Sequence, residues 1–227
     1  MKWVERLFQP SMRGPVLALL LSSAVCTALV TARIVLSANL GYAFLVWNLF
    51  LAWLPLLFAL KVQECHQLGV RRGWRLGALA AGWLLLFPNA PYILTDIIHL
   101  KTKFTAHFWV DLILVLSCAL TGLVLGFLSL YVMQGIVADR FGRWASWLFI
   151  IAVACLSSIG VFIGRFLRLN SWDIVRPGKF YERMGHWTTV PSADASVFPV
   201  LFALFFLMVY LMFYGLTRLP QSDTAKS

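Results

Sequence analysis

The chain has 227 residues, 61% of them hydrophobic and only 12% charged, with 18 Phe, 10 Trp and a net charge of +10. Charged residues make up about a quarter of an ordinary soluble domain, so this composition excludes a water-soluble globule. The positive charge lies in short segments beside apolar runs, which points to anionic lipid and membrane topology and not to nucleic acid.

The opening MKWVERLFQPSMRGP is basic and precedes an apolar stretch. That stretch is too long for a signal-peptide core and lacks a small-x-small cleavage site before a soluble body. Ser-Ala-Val before Cys26 also fits a lipoprotein cleavage site poorly. The stretch 15–37 is therefore read as a retained first span. Further apolar runs occupy 42–60, 75–95, 108–133, 143–167 and 197–217, near the roughly 18 to 25 residues that cross ~30 Å of hydrocarbon. Lipid admits only helices or closed barrels, and these runs are continuously apolar instead of alternating. The fold class predicted is all-α: a polytopic bundle of six transmembrane helices, one domain over 1–217, with a short polar tail at 218–227. Pro88 and Pro91 predict a break in the third helix, because each removes a backbone donor.

Lys and Arg beside the spans set the orientation. Lys2, Arg6, Arg13, Lys61, Arg71, Arg72, Arg75, Arg140, Arg143, Arg218 and Lys226 make eleven on one side. Lys101, Lys103, Arg165, Arg168, Arg176, Lys179 and Arg183 make seven on the other. Both termini are expected in the cytoplasm of a bacterial cell, with the protein in its inner membrane. Cys26, Cys118 and Cys155 fall inside spans and Cys65 in the second-to-third loop, so no outer pair is available for a disulfide. Glu64-Cys65-His66 lacks the three or four converging ligands of a zinc site.

The strongly polar residues of the spans share one leaflet. Arg33 lies near the outer end of the first span, and Asn48 and Asn89 lie ~9 Å deep at ~1.5 Å rise per residue. Asp96 follows the third span at the surface, Asp111 is one turn inside the fourth, and Arg165 closes the fifth. Amides and charges in hydrocarbon need partners or water, so a shared polar cavity in the outer leaflet is expected. Individual snorkelling serves Arg33 and Arg165 but not the short Asn48, Asn89 and Asp111.

Asp96-x-x-His99 and His107-x-x-x-Asp111 have helix-face spacing on antiparallel neighbours. Asp96, His99 and Asp111 are the candidates for acid–base work. With His107 they form a weak candidate metal set, since two His and two Asp suit zinc or manganese but Lys101 and Lys103 repel a cation. No cofactor can be named. Arg33, Asn48, Asn89, Tyr92, Arg165, Arg168, Asn170, Trp172 and Asp173 are the candidate substrate-binding residues, with Arg165 and Arg168 suited to bidentate grip on an anion. The competing reading of GRFLRLNSWDIVRPGKFYER is a headgroup-level segment whose charges pair with Asp173, Glu182 and Asp194.

WNLFLAWLPL (47–56), LFPNAPYILTDIIHL (86–100), FWVDL (108–112) and GRFLRLNSWD (164–173) together resemble a bacterial integral membrane family, domain of unknown function 1361. The resemblance implies a multi-pass bacterial membrane protein with these motifs on its outer face, and it assigns no catalytic residues. Three functions compete: binding or processing an anionic or lipid-linked substrate, a non-catalytic subunit of a larger membrane complex, and transport. Transport is disfavoured because the inner leaflet is nearly bare of polar groups and no inverted repeat is evident. The partners expected are membrane lipids and that larger complex.

Orientation is open to direct test. In intact spheroplasts Thr102→Cys and Phe180→Cys are expected to react with a membrane-impermeant thiol reagent while native Cys65 does not. Labelling of Cys65 alone would invert the topology.

Overall fold

The computed structural model describes residues 10–69, 73–100, 107–166, 178 and 193–218, and the side chains of these except at 10–13, 99 and 193–196. It is a helical bundle, with no strand among the described residues. Helix α1 (Pro10–Ser37) ends at Ala38, whose φ of 49° reverses the chain. Asn39 then accepts the Gly41 N–H at 2.8 Å and starts a 3-10 turn, Leu40–Tyr42, leading into α2 (Ala43–Gln67). The third membrane segment comprises α3 (Gly73–Leu86), one turn α4 (Asn89–Tyr92) and a 3-10 stretch, Ile93–Leu100. Helices α5 (Phe108–Phe141), α6 (Arg143–Phe166) and α7 (Ala193–Leu216) follow. Six of these segments are long and apolar enough to cross a membrane, which makes this a multi-pass membrane protein. The side where α1 begins is the near side, and the side where α1 ends and α5 begins is the far side.

α5 is the central helix. Its membrane window is 67% buried, against 22% for α1 and for α7, and its most extensive contact is with α2. At 34 residues it is ~51 Å long at 1.5 Å per residue, well beyond the hydrocarbon. It runs to Phe141 where hydropathy alone ends the span at 133, because the polar residues after Met133 remain good helix formers. Buried Gln134 accepts from Tyr210 Oη at 2.7 Å, and Gly142, at φ 87°, ends the helix with its N–H on the Ala138 carbonyl at 2.9 Å. α2 likewise passes 60 and reaches Gln67, with Lys61 and Glu64 paired at 2.8 Å one turn apart. The near half is packed by rings: Trp83 lies 4.9 Å from Phe87 and 5.8 Å from Phe149, and its Nε1 donates to Ser129 Oγ at 2.6 Å. A buried indole needs such a partner.

The expected break is present, and its backbone is repaired locally. Pro91 has no N–H for the Phe87 carbonyl, so Ala90 N–H takes that carbonyl at 3.1 Å. This shift leaves the Leu86 carbonyl to Asn89, whose Nδ2 donates to it at 2.9 Å. The broken turn is then clasped by helices that carry glycine where it approaches. A Cβ on Gly160 of α6 would sit 2.8 and 2.9 Å from the Pro88 ring. On α5, a Cβ at Gly126 would sit 2.9 Å from the Ala90 Cβ, and one at Gly122 would meet the Ile93 tip at 2.7 Å and the Ala90 carbonyl at 3.3 Å. A proline ring cannot rotate aside, so Gly160 tolerates no side chain without movement of the break. Gly160→Ala is expected to lower stability by about 1–3 kcal/mol, the usual effect of overpacking, read as a lower Tm in detergent. Gly135→Ala, with nothing within 4 Å of the added carbon, should leave Tm unchanged or raise it slightly.

Candidate functional site

The 3-10 stretch after the break delivers Thr95 and Asp96 into the far half of the bundle. Sequence depth puts Asp96 at the membrane surface, but the structure buries it to 1% exposure. The 3-10 turn carries the chain back over α5 instead of straight out of the bundle. Asp96 is engaged from two other helices. Asn48 Nδ2 of α2 donates to its Oδ2 at 2.8 Å, and Arg165 Nη2 of α6 donates to its Oδ1. Arg165 also donates from Nε and Nη2 to Thr95 Oγ1 at 2.9 and 2.7 Å, and Thr95 in turn donates to the Tyr92 carbonyl at 2.6 Å. The guanidinium lies over the Tyr92 ring, 4.6 Å from its centroid, within cation–π range. Arg165 therefore folds inward, although its place at a helix end suits snorkelling equally well.

A second pair joins α1 to α5. Arg33 Nε and Nη2 grip Asp111 Oδ1 and Oδ2 at 2.6 and 3.2 Å, a bidentate clamp on a carboxylate of 1% exposure. The Tyr42 ring lies 5.9 Å from the same guanidinium. The polar residues of matching depth thus find partners, but in two centres, and the described polar groups close on one another instead of facing an open polar cavity. Asn89 belongs to neither centre, since its amide holds the break.

The metal set takes a different form from its spacing. Asp96 and Asp111 each carry a guanidinium, and His107 is an exposed residue at the start of α5. Among the described residues no three His, Cys, Asp or Glu converge. Both carboxylates proposed for acid–base work are thus held in arginine pairs. The His99 and Asp194 side chains, Arg168, Asn170, Trp172, Asp173 and Glu182 lie outside the described residues.

Open volume does exist beside Arg165, and it is apolar. A cleft of about 800 Å³ runs between the 3-10 stretch, the start of α5, the end of α6 and the far half of α7. Leu94, Ile97 and Leu112 form one wall; Phe198, Leu201 and Phe202 of α7 form the other; Thr95 and Arg165 are its polar lining. Thr95 and the α7 residues carry no sequence signal for such a role. The i, i+4 spacing of Phe198 and Phe202 is invisible in a helix that is apolar all round.

The fold and the paired charges define a polytopic helical membrane protein whose far half is organised around buried arginine–carboxylate pairs. Residues 47–213 match the family described as protein of unknown function (DUF1361), and the chain belongs to that family. The match begins at Trp47, the first residue of the first motif, so Arg33 and the rest of α1 lie outside it. No curated protein and no solved structure matches the chain.

Removing one member of a buried pair strands the other charge, which costs about 3–5 kcal/mol. Arg33→Gln and Asp111→Asn are each expected to lower Tm and membrane abundance. The double variant should be less damaged than the sum of the two, because it leaves no lone charge. Additive losses would mean that the two side chains do not meet.

Proposed function

We propose that the protein is a membrane-embedded binding protein for an anionic amphiphile, with the ligand's chain in the apolar cleft and its head group at Arg165 and Thr95. The observation that carries this reading is a single guanidinium, with the Thr95 hydroxyl beside it, at the edge of a cleft otherwise walled by Leu, Ile and Phe. Sites for small ligands combine an apolar lining with a few polar groups that set orientation. Asp96 and Asn48 then act as positioning residues that fix the Arg165 fork, and Tyr92 supports its face. The engagement of both carboxylates by arginine favours binding over acid–base processing. The eleven-to-seven charge bias supports a far side in the outer leaflet of a bacterial inner membrane with both termini cytoplasmic, and on that orientation the ligand is drawn from that leaflet.

One observation favours a second reading, that of a non-catalytic assembly subunit. Every polar centre described above is satisfied from within the chain, as packing alone requires. Occupancy of the cleft separates the two. Leu201→Trp, which fills the cleft from a side chain already 60% exposed, is expected to weaken capture of a long-chain alkyl phosphate by about tenfold, ~1.4 kcal/mol, in native mass spectrometry. Leu156→Trp, on an exposed part of α6 outside the cleft, should bind as the parent does. Equal binding by all three proteins would leave the assembly reading standing.

A further inference from the structure

We propose a second binding site, for the phosphate head group of an anionic phospholipid, on the near-side rim where α5 ends, α6 begins and α7 ends. It lies at the opposite face of the bundle from the cleft, shares no residue with it and does not depend on it.

Three exposed arginines lie at the helix ends that form this rim. Arg140 and Arg143 flank Gly142, the hinge between α5 and α6, and Arg218 follows α7. Aromatic contacts fix how the helix ends lie. Trp147, one turn into α6 from Arg143, meets the Tyr214 ring edge-on at 5.0 Å and 70°. Arg218, one turn beyond Tyr214, lies over that ring at 4.8 Å. Arg143 and Arg218 therefore flank one Trp–Tyr pair from two antiparallel helices, and Arg140 lies over Phe141 at 5.6 Å beside them. Among the described residues at these three helix ends the carboxylate is Asp139, one negative charge against three positive.

Backbone adds to the charge. The first intrahelical bond of α6 is Ser146 N–H to the Gly142 carbonyl at 3.2 Å, so the N–H groups of 143–145 precede the hydrogen-bonded ladder and point outward from the helix start. Oriented N–H groups with adjacent arginines make a phosphate-binding arrangement.

The surroundings select a lipid over a free anion. Trp144 is 88% exposed and Phe141 67% exposed at the rim itself, as residues of an interfacial belt are. Leu148, Met212 and Leu216, all exposed, continue the apolar surface from the rim toward mid-membrane, where acyl chains would lie. Basic pockets between transmembrane helices are a recognised form of anionic-lipid site. A zwitterionic head group brings its own cation to the arginines and loses the charge complementarity.

The test uses the full chain in detergent, with phosphatidylglycerol, phosphatidylcholine or inorganic phosphate added, read by native mass spectrometry and Tm. Phosphatidylglycerol is expected to form retained adducts and raise Tm, since a ligand that binds only the folded state stabilises it. Phosphatidylcholine and inorganic phosphate should do neither. The triple variant R140Q/R143Q/R218Q should bind phosphatidylglycerol about tenfold more weakly while keeping the parent Tm in lipid-free detergent, and the single variant R218Q should show a smaller loss in the same direction. The triple Lys variant should recover part of the binding. Undiminished phosphatidylglycerol binding by both Gln variants would overturn the site. So would equal binding of phosphatidylcholine, and a shift reproduced by inorganic phosphate alone would show an anion site with no lipid preference.

Discussion

A carboxylate buried at 1% exposure inside a membrane bundle must be matched by charge and by hydrogen bonds, and Asp96 meets that demand from two other helices. α6 supplies Arg165, itself held by Thr95 of the 3-10 stretch, and α2 supplies Asn48. For these groups to meet, the third membrane segment must stop being an α-helix before it leaves the bundle and must lie between α2 and α6. Pro88 and Pro91 provide the stop, and Asn89 satisfies the carbonyl that the stop exposes. Gly122, Gly126 and Gly160 let the broken turn approach closely enough for Asp96 to reach its partners. Break, glycine notch and ion pair depend on one another, since each is a liability without the other two.

The Arg33–Asp111 clamp does for α1 what the Asp96 centre does for the third segment. The membrane window of α1 is mostly exposed, and between apolar helices in lipid there is little hydrophobic driving force to choose one register over another. A bidentate ion pair has one good geometry. Such a pair is weak evidence for stability, because well-packed apolar residues can replace it without loss. It holds α1, outside the family match, against Asp111, inside it.

On the proposed binding function, these pairings shift the role of the far half from reactive groups to shape and charge placement. Carboxylates bound to arginine are poor general bases, whereas an arginine fixed on three sides is a well-oriented recognition group. The cleft beside it has the lining of a chain-binding site, and the near-side rim has the charge and aromatic composition of a head-group site. On both readings lipid is the ligand as well as the solvent.

The fold class was legible in the residues themselves. Apolar run lengths dictate six spanning helices, the Pro88–Pro91 pair dictates a break, and the cost of polar groups in hydrocarbon dictates that Arg33, Asn48, Asn89, Asp111 and Arg165 find partners, whereas Asp96 reads as a surface residue. Which partner each takes was not legible. Depth is a one-dimensional coordinate, and residues at equal depth on five helices can pair in several ways until helix neighbours and rotations are set. Those rotations leave little trace here, because the face toward lipid and the face toward the core are both apolar and the usual 3.6-residue contrast disappears. For the same reason Phe198, Leu201 and Phe202 look like any lipid-facing residues until α7 is seen across from the 3-10 stretch. Only packing shows that Gly160 faces a proline ring. Sequence determined what had to be buried and what had to be broken; tertiary structure decided who meets whom, because in lipid that choice rests on close packing and pairwise geometry and not on hydrophobicity.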